Sequence, residues 1–156
     1  MVRFQREPIA RLWAEMTPLL EAHYREVAHY QDIPLEPDYA AYQTLEDIGI
    51  FRIYTTRLEN GNLVGYAAYL IAPHLHYRSV LNATMDVVYI APEYRGMGRQ
   101  FIEWCDQQLK VDGVETVTQH VKVAHDFSPM LERMGYEWVE KILIRRLQVI
   151  AREKAA

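Results

Sequence analysis

Asp86-Val87-Val88-Tyr89-Ile90-Ala91-Pro92-Glu93-Tyr94-Arg95-Gly96-Met97-Gly98-Arg99-Gln100-Phe101 is the stretch on which the fold turns. Residues 80–90 are mostly apolar, which predicts a buried central strand. Pro92 ends it, and two glycines then open a helical run that carries Phe101, Ile102, Cys105 and Leu109 on one face. The first amides of such a helix have no intrahelical acceptors and carry partial positive charge. Glycine lets a large anion approach that backbone closely, and a pyrophosphate suits the geometry. Arg95 and Arg99 add the prospect of charge-assisted contacts. A nicotinamide-dinucleotide fingerprint is a poorer match, because it needs three spaced glycines near the start of a βαβ unit.

Around this stretch the elements follow in an α/β order. Val2 and Phe4 alternate with polar residues, as in a short strand. A helical pattern starts at Ile9 and contains Thr17-Pro18, which fits either a second helix capped by Thr17 or one kinked helix. Asp38 is placed to cap a helix over residues 39–47, with Gly49 ending it. Asn60-Gly61 predicts a hairpin between strands over 50–56 and 63–71. Residues 73–79 read as a polar loop. Beyond the glycine turn, a strand is expected over 114–123, a short helix over 126–134 with Gly135 as its cap, and a β-rich run over 136–147. Early hairpins require antiparallel pairs, and later helical crossovers permit parallel ones.

At 156 residues, with half of them hydrophobic and 24% charged, the chain suits one domain over 1–156, with a solvated tail over 151–156. The net charge of -4 shows no basic footprint, so nucleic acid is not expected as a partner. No apolar run reaches the ~20 residues that span a bilayer, and the N-terminus has no signal-like apolar core. A membrane partner is therefore not expected. The single cysteine, Cys105, fits a reducing compartment, and the expected location is cytoplasmic. His74 and His76 on a loop, without further ligands, make a poor metal pair, so no metal is expected.

The run Pro92-Glu93-Tyr94-Arg95-Gly96-Met97-Gly98 resembles the acetyl-CoA signature of the GCN5-related N-acetyltransferase (GNAT) family. That pattern is Arg or Gln, two residues, Gly, one residue, then Gly or Ala. Arg95 and Gly98 match it, whereas Gln100 stands where the family keeps a small residue. The resemblance covers nearly the whole chain and implies a mixed, mainly antiparallel sheet with a splayed central strand and flanking helices. It implies acetyl-CoA as co-substrate, held by the backbone of Val88 and Ile90 and by the turn Arg95, Gly96, Met97, Gly98, Arg99 and Gln100. The implied reaction is direct acetyl transfer to a primary amine on a small molecule or a protein.

For the base, Asp86 is the first candidate, because it interrupts an apolar strand. An Asp bonded to a neighbouring loop or arginine is the alternative. The family's usual Tyr, four residues before the glycine that ends the last helix, is replaced by Leu131, and its upstream Asn is also missing. His125 stands in that region as a substitute acid or as a surface residue, and Tyr89 and Tyr136 are further candidates. Cys105 reads as core. Tyr30, Asp32, Glu36, Asp38, Tyr39 and Tyr42 would give an acidic, aromatic acceptor mouth suited to a cationic amine. A non-catalytic acyl-CoA-binding or interaction module is the second reading. Many relatives are dimers, and residues 139–150 offer a strand for pairing in a homodimer.

Overall fold

A computed structural model describes residues 2–147. The elements are β1 (Val2–Arg6), α1 (Ile9–Val27), α2 (Tyr39–Asp47), β2 (Phe51–Leu58), β3 (Leu63–His74), β4 (Tyr77–Ile90), α3 (Gly98–Val111), β5 (Thr116–Thr118) and α4 (Ser128–Arg133). Short 3₁₀ turns span Pro92–Met97 and Val123–His125. One sheet holds all five strands in the order β1-β2-β3-β4-β5. The first four form an antiparallel meander, and β5 joins β4 in parallel after the α3 crossover. This is the mixed, mainly antiparallel α/β architecture that the sequence implies.

The amphipathic patterns explain the layers. Ile9, Leu12 and Met16 face the sheet from α1 and pack with Phe51, Ile53, Tyr66 and Tyr89. On the opposite face, Phe101, Cys105 and Leu109 of α3 pack with Tyr69, Met85 and Ile90. Apolar residues at helical spacing thus cover each face, and the central strands are buried on both sides.

Several expectations are sharpened or corrected. α1 runs unbroken through Pro18. Thr17 does not cap a new helix, because its hydroxyl donates back to the Trp13 carbonyl at 2.8 Å. Asp38 caps α2 as expected, accepting from the Ala41 amide at 3.0 Å. The expected loop over 73–79 is instead a hairpin, with β3 running to His74 and β4 starting at Tyr77. The His76 amide donates to His74 Nδ1 across that turn, which occupies one imidazole nitrogen of the expected poor metal pair. β5 covers only Thr116–Thr118 of the expected 114–123, because β4 diverges from it there. The β-rich reading of 136–147 fails in a more consequential way, since these residues pair with no strand. Strand propensity alone makes no ladder without an edge to join. The expected tail over 151–156 lies outside the described residues.

Candidate active site

The site grows from two irregularities in β4. Against β3, Ala68 faces Val87 but Tyr69 faces Met85, which leaves Asp86 as the extra residue of a bulge. Met85 and Val88 pack toward α3, whereas Val87 and Tyr89 pack toward α1 and α2. The inserted residue thus breaks the strict alternation of faces, and Asp86 is exposed. Against β5, pairing covers Asn82, Ala83 and Thr84 alone. Beyond Thr84 the two parallel strands part, and among the described residues the β5 side of residues 85–90 has no ladder partner.

Backbone direction in that gap follows from one bond. The Ala91 amide donates to the Val64 carbonyl of β3 at 2.8 Å, so the backbone groups of Val88 and Ile90 point the other way, into the gap. The Ile90 carbonyl is taken by Arg95 Nε at 3.1 Å. The Val88 groups thus face the gap without a strand partner. At its end lies the glycine turn. A Cβ at Gly96 would meet nothing within 4 Å, and one at Gly98 would meet Ile90 Cδ1 at 3.8 Å. The backbone here is open to a large group, and the N-terminus of α3 stands behind it. Gln100 is exposed on the first turn of α3, and Arg99 pairs with Glu103 at 2.8 Å. Met97 is half-buried against the α3-side core. The donor set fits a pantetheine and its diphosphate: unpaired strand backbone followed by helix-end amides.

The candidate base and acid stand on different walls. Asp86 faces the Tyr42 hydroxyl from α2, with His120 and Lys122 across the gap. Partial desolvation raises its pKa above the ordinary aspartate value, against the pull of His120, Tyr42 and Lys122. His125 lies on the turn after β5, where its Nδ1 is 3.1 Å from a Glu26 carboxylate oxygen. The other oxygen of Glu26 accepts from Arg95 Nη2 at 2.5 Å. Glu26, near the end of α1, therefore links the turn that follows β4 to the turn that follows β5. The Arg95 guanidinium also lies 5.9 Å from the centre of the Tyr89 ring.

Beside this link, His23 stacks on Tyr89 at 5.0 Å, and its Nδ1 lies 3.2 Å from the Tyr66 hydroxyl. Burial lowers its pKa to about 4; Glu26 opposes this, and Lys122, Arg95 and His125 add to it. The ring is therefore neutral near pH 7. Leu131 is buried in α4. The Tyr136 hydroxyl donates to Asp106 and accepts from Gln119, so it faces α3 rather than Asp86. Cys105 is fully buried, and desolvation raises its thiol pKa well above the usual value.

Sequence reasoning singled out Asp86 and the glycine turn but missed Glu26, His120 and the contact between His23 and Tyr66. His23 lies in the apolar stripe of α1, where a lone polar residue was the available signal. Glu26 and His120 carry no such signal, because charged or polar residues near element ends are ordinary.

The acetyltransferase (GNAT) family model matches residues 13–136. The chain belongs to this family. Its fold is shared with ribosomal-protein-alanine N-acetyltransferase from Brucella melitensis biovar Abortus 2308 (17% identity, 94% of this chain and 99% of that one, TM-score 0.73). It is also similar to glucosamine-6-phosphate N-acetyltransferase from Arabidopsis thaliana (12% identity, 95% and 99%, TM-score 0.71). A predicted acetyltransferase from Clostridium acetobutylicum, solved with acetyl-CoA, matches at 10% identity, covering 94% and 96%, with a TM-score of 0.69. No curated protein sequence matches significantly. Among the described residues, no helix is long and apolar enough to cross a membrane, and no cluster of three or more His, Cys, Asp or Glu is placed to hold a metal. This GNAT chain is an acetyltransferase by family, and its neighbours act on acceptors as different as a protein and a sugar phosphate.

Proposed function

We propose that this GNAT protein transfers an acetyl group from acetyl-CoA to a primary amine, with Asp86 as the base. The observation that carries this reading is the bulge that presents Asp86 beside a gap of unpaired strand backbone ending in an open glycine turn. Acetyl-CoA supplies the acetyl group as a thioester. The Val88 backbone holds the pantetheine arm like an added strand, and the amides opening α3 hold the diphosphate. Arg95 acts indirectly: through Ile90 and Glu26 it fixes the shape of the turn.

The acceptor amine must shed a proton to become a nucleophile. Asp86, with its raised pKa, takes that proton while Tyr42 holds the carboxylate in place. The only cysteine is buried, which favours direct transfer over an acyl-cysteine route. His125 is the candidate for returning a proton to the departing thiolate, since its Nδ1 lies against Glu26 at 3.1 Å and Nε2 is on the other side of the ring. The acceptor wall of Tyr39, Tyr42 and the acidic residues 32–38 favours a cationic amine, on a small molecule or a protein, over one with a free carboxylate.

Isothermal calorimetry with acetyl-CoA, followed by turnover across an amine panel, tests this. Submillimolar binding and turnover that falls about 10²–10⁴-fold in Asp86→Asn, with acetyl-CoA affinity kept, are expected. Binding without turnover of any amine would favour a non-catalytic acyl-CoA-binding module, the reading that the buried Leu131 supports. Absence of binding would overturn both.

A further inference from the structure

We propose that Glu26 is a positioning residue that decides which nitrogen of His125 trades a proton. It keeps a proton on Nδ1 and leaves Nε2 as the exchanging atom. This rests on the reading of His125 as the group that reprotonates the departing thiolate. The residues involved are far apart in sequence, and the fold brings them together. Glu26 stands near the end of α1, Arg95 on the turn after β4 and His125 on the turn after β5. One Glu26 oxygen is 2.5 Å from Arg95 Nη2, and the other is 3.1 Å from His125 Nδ1.

Donor and acceptor counts place the proton. A guanidinium has donors only, and a carboxylate has acceptors only. Arg95 therefore donates to the oxygen it faces, and the oxygen facing His125 has lone pairs and no proton to give. A bare Nδ1 at that distance would set lone pair against lone pair, whereas Nδ1–H makes a hydrogen bond. The partner of one ring nitrogen fixes the tautomer, and with it the atom left for chemistry. His23, one turn earlier on α1, does not compete for Glu26, because its Nδ1 lies 3.2 Å from the Tyr66 hydroxyl.

Both partners of Glu26 are themselves held. Arg95 Nε donates to the Ile90 carbonyl at 3.1 Å, and the His125 amide donates to the Lys122 carbonyl at 3.0 Å. The His125 side chain is 43% exposed, so the Glu26 contact, rather than packing, sets the direction of its ring. A half-exposed ion pair adds little to stability, but orienting a proton donor adds to rate. In the imidazolium both nitrogens carry protons. Nε2 gives its proton to the thiolate sulfur, the free thiol departs, and the ring returns to its neutral Nδ1–H form. Solvent then restores the Nε2 proton.

The test is long-range proton–nitrogen correlation NMR on the full chain with isotope-labelled histidine, at about pH 9, where an ordinary imidazole is neutral. His125→Gln assigns the His125 signals. The wild type should carry the His125 proton on Nδ1. In Glu26→Gln the carboxamide keeps its one acceptor oxygen for Arg95 and turns its NH₂ toward His125, so the proton should move to Nε2. Acetyl-CoA affinity by calorimetry should stay within about threefold, while kcat falls at least about tenfold, inside the ~10²–10⁴-fold that a positioned proton donor contributes. A proton on Nε2 in the wild type, an unchanged tautomer in Glu26→Gln, or a moved proton with kcat unchanged would each overturn the proposal. If the variant fails to fold, the wild-type tautomer decides. Failure of the wild type to bind acetyl-CoA would overturn the acetyl-transfer reading instead, and the tautomers would still decide whether Glu26 sets the His125 proton.

Discussion

Asp86 combines two properties that rarely meet on one strand residue: it is exposed, and its carboxyl is harder to ionise than usual. The bulge turns it toward α2, and nearby protein strips part of its solvation. The base form is lost as pH falls through the raised pKa. The acid limb of the kcat/KM profile should therefore lie above the ordinary aspartate range, and residual activity in Asp86→Asn should lack that limb. His23 titrates in the other direction. Its pKa falls from 6.5 in the unfolded chain to about 4 in the fold, so between these values the unfolded state binds more protons. Stability is full above pH 6.5 and declines as pH drops toward 4, by at most ~1.4 kcal/mol per pH unit. Solvent at the half-buried ring keeps the slope below that ceiling. Chemical denaturation across this window should show the decline, and His23→Gln should flatten it. Asp86 was legible because a carboxylate in an apolar strand stands out. Its partner Tyr42 was legible only as part of an aromatic region, since the contact depends on how α2 docks.

The docking of α1 on β1 and β2 is supported by an ionic cluster, buried at Glu7 and Arg57 and exposed at Glu15, that the sequence did not reveal. Arg57 donates to Glu7 at 2.8 and 3.1 Å and to Glu15 at 2.7 and 3.1 Å, and Thr55 donates to Glu7 at 2.5 Å. Burial would raise the Glu7 pKa, but the bonds from Arg57, Thr55 and Gln5 outweigh it and hold the carboxyl below its ordinary value. Glu7 follows β1, Glu15 lies on α1 and Arg57 on β2, so the cluster joins three elements through side chains far apart in sequence. No local pattern announces such a group. Arg57→Met leaves the Glu7 charge buried without its partner and should cost about 3–5 kcal/mol, measured by urea denaturation at neutral pH. Elements with a local signature were legible: the Asp38 cap, the Asn60-Gly61 turn and the α3 stripe all stand where expected. The hairpin at residues 75–76 was not, because its turn lacks the Gly or Asn that marks such turns.

The overall architecture was legible from element order and the glycine turn, and the splay between β4 and β5 matches the family layout. The β-rich reading of residues 136–147 did not hold, because strand propensity alone makes no ladder and pairing depends on which edge is within reach.

The narrow contact between β4 and β5 also sets an order of assembly. The meander from β1 to β4 includes two short hairpins, which close quickly, whereas β5 must wait for the α3 crossover and then wins only three residue pairs. Pulsed hydrogen exchange during refolding should therefore protect the amides shared by β2 and β3 before those at Thr116–Thr118, and acetyl-CoA binding should return with the later phase. On this order the gap proposed to hold the cofactor forms after the meander, and partial unfolding would remove it while most of the sheet still stands.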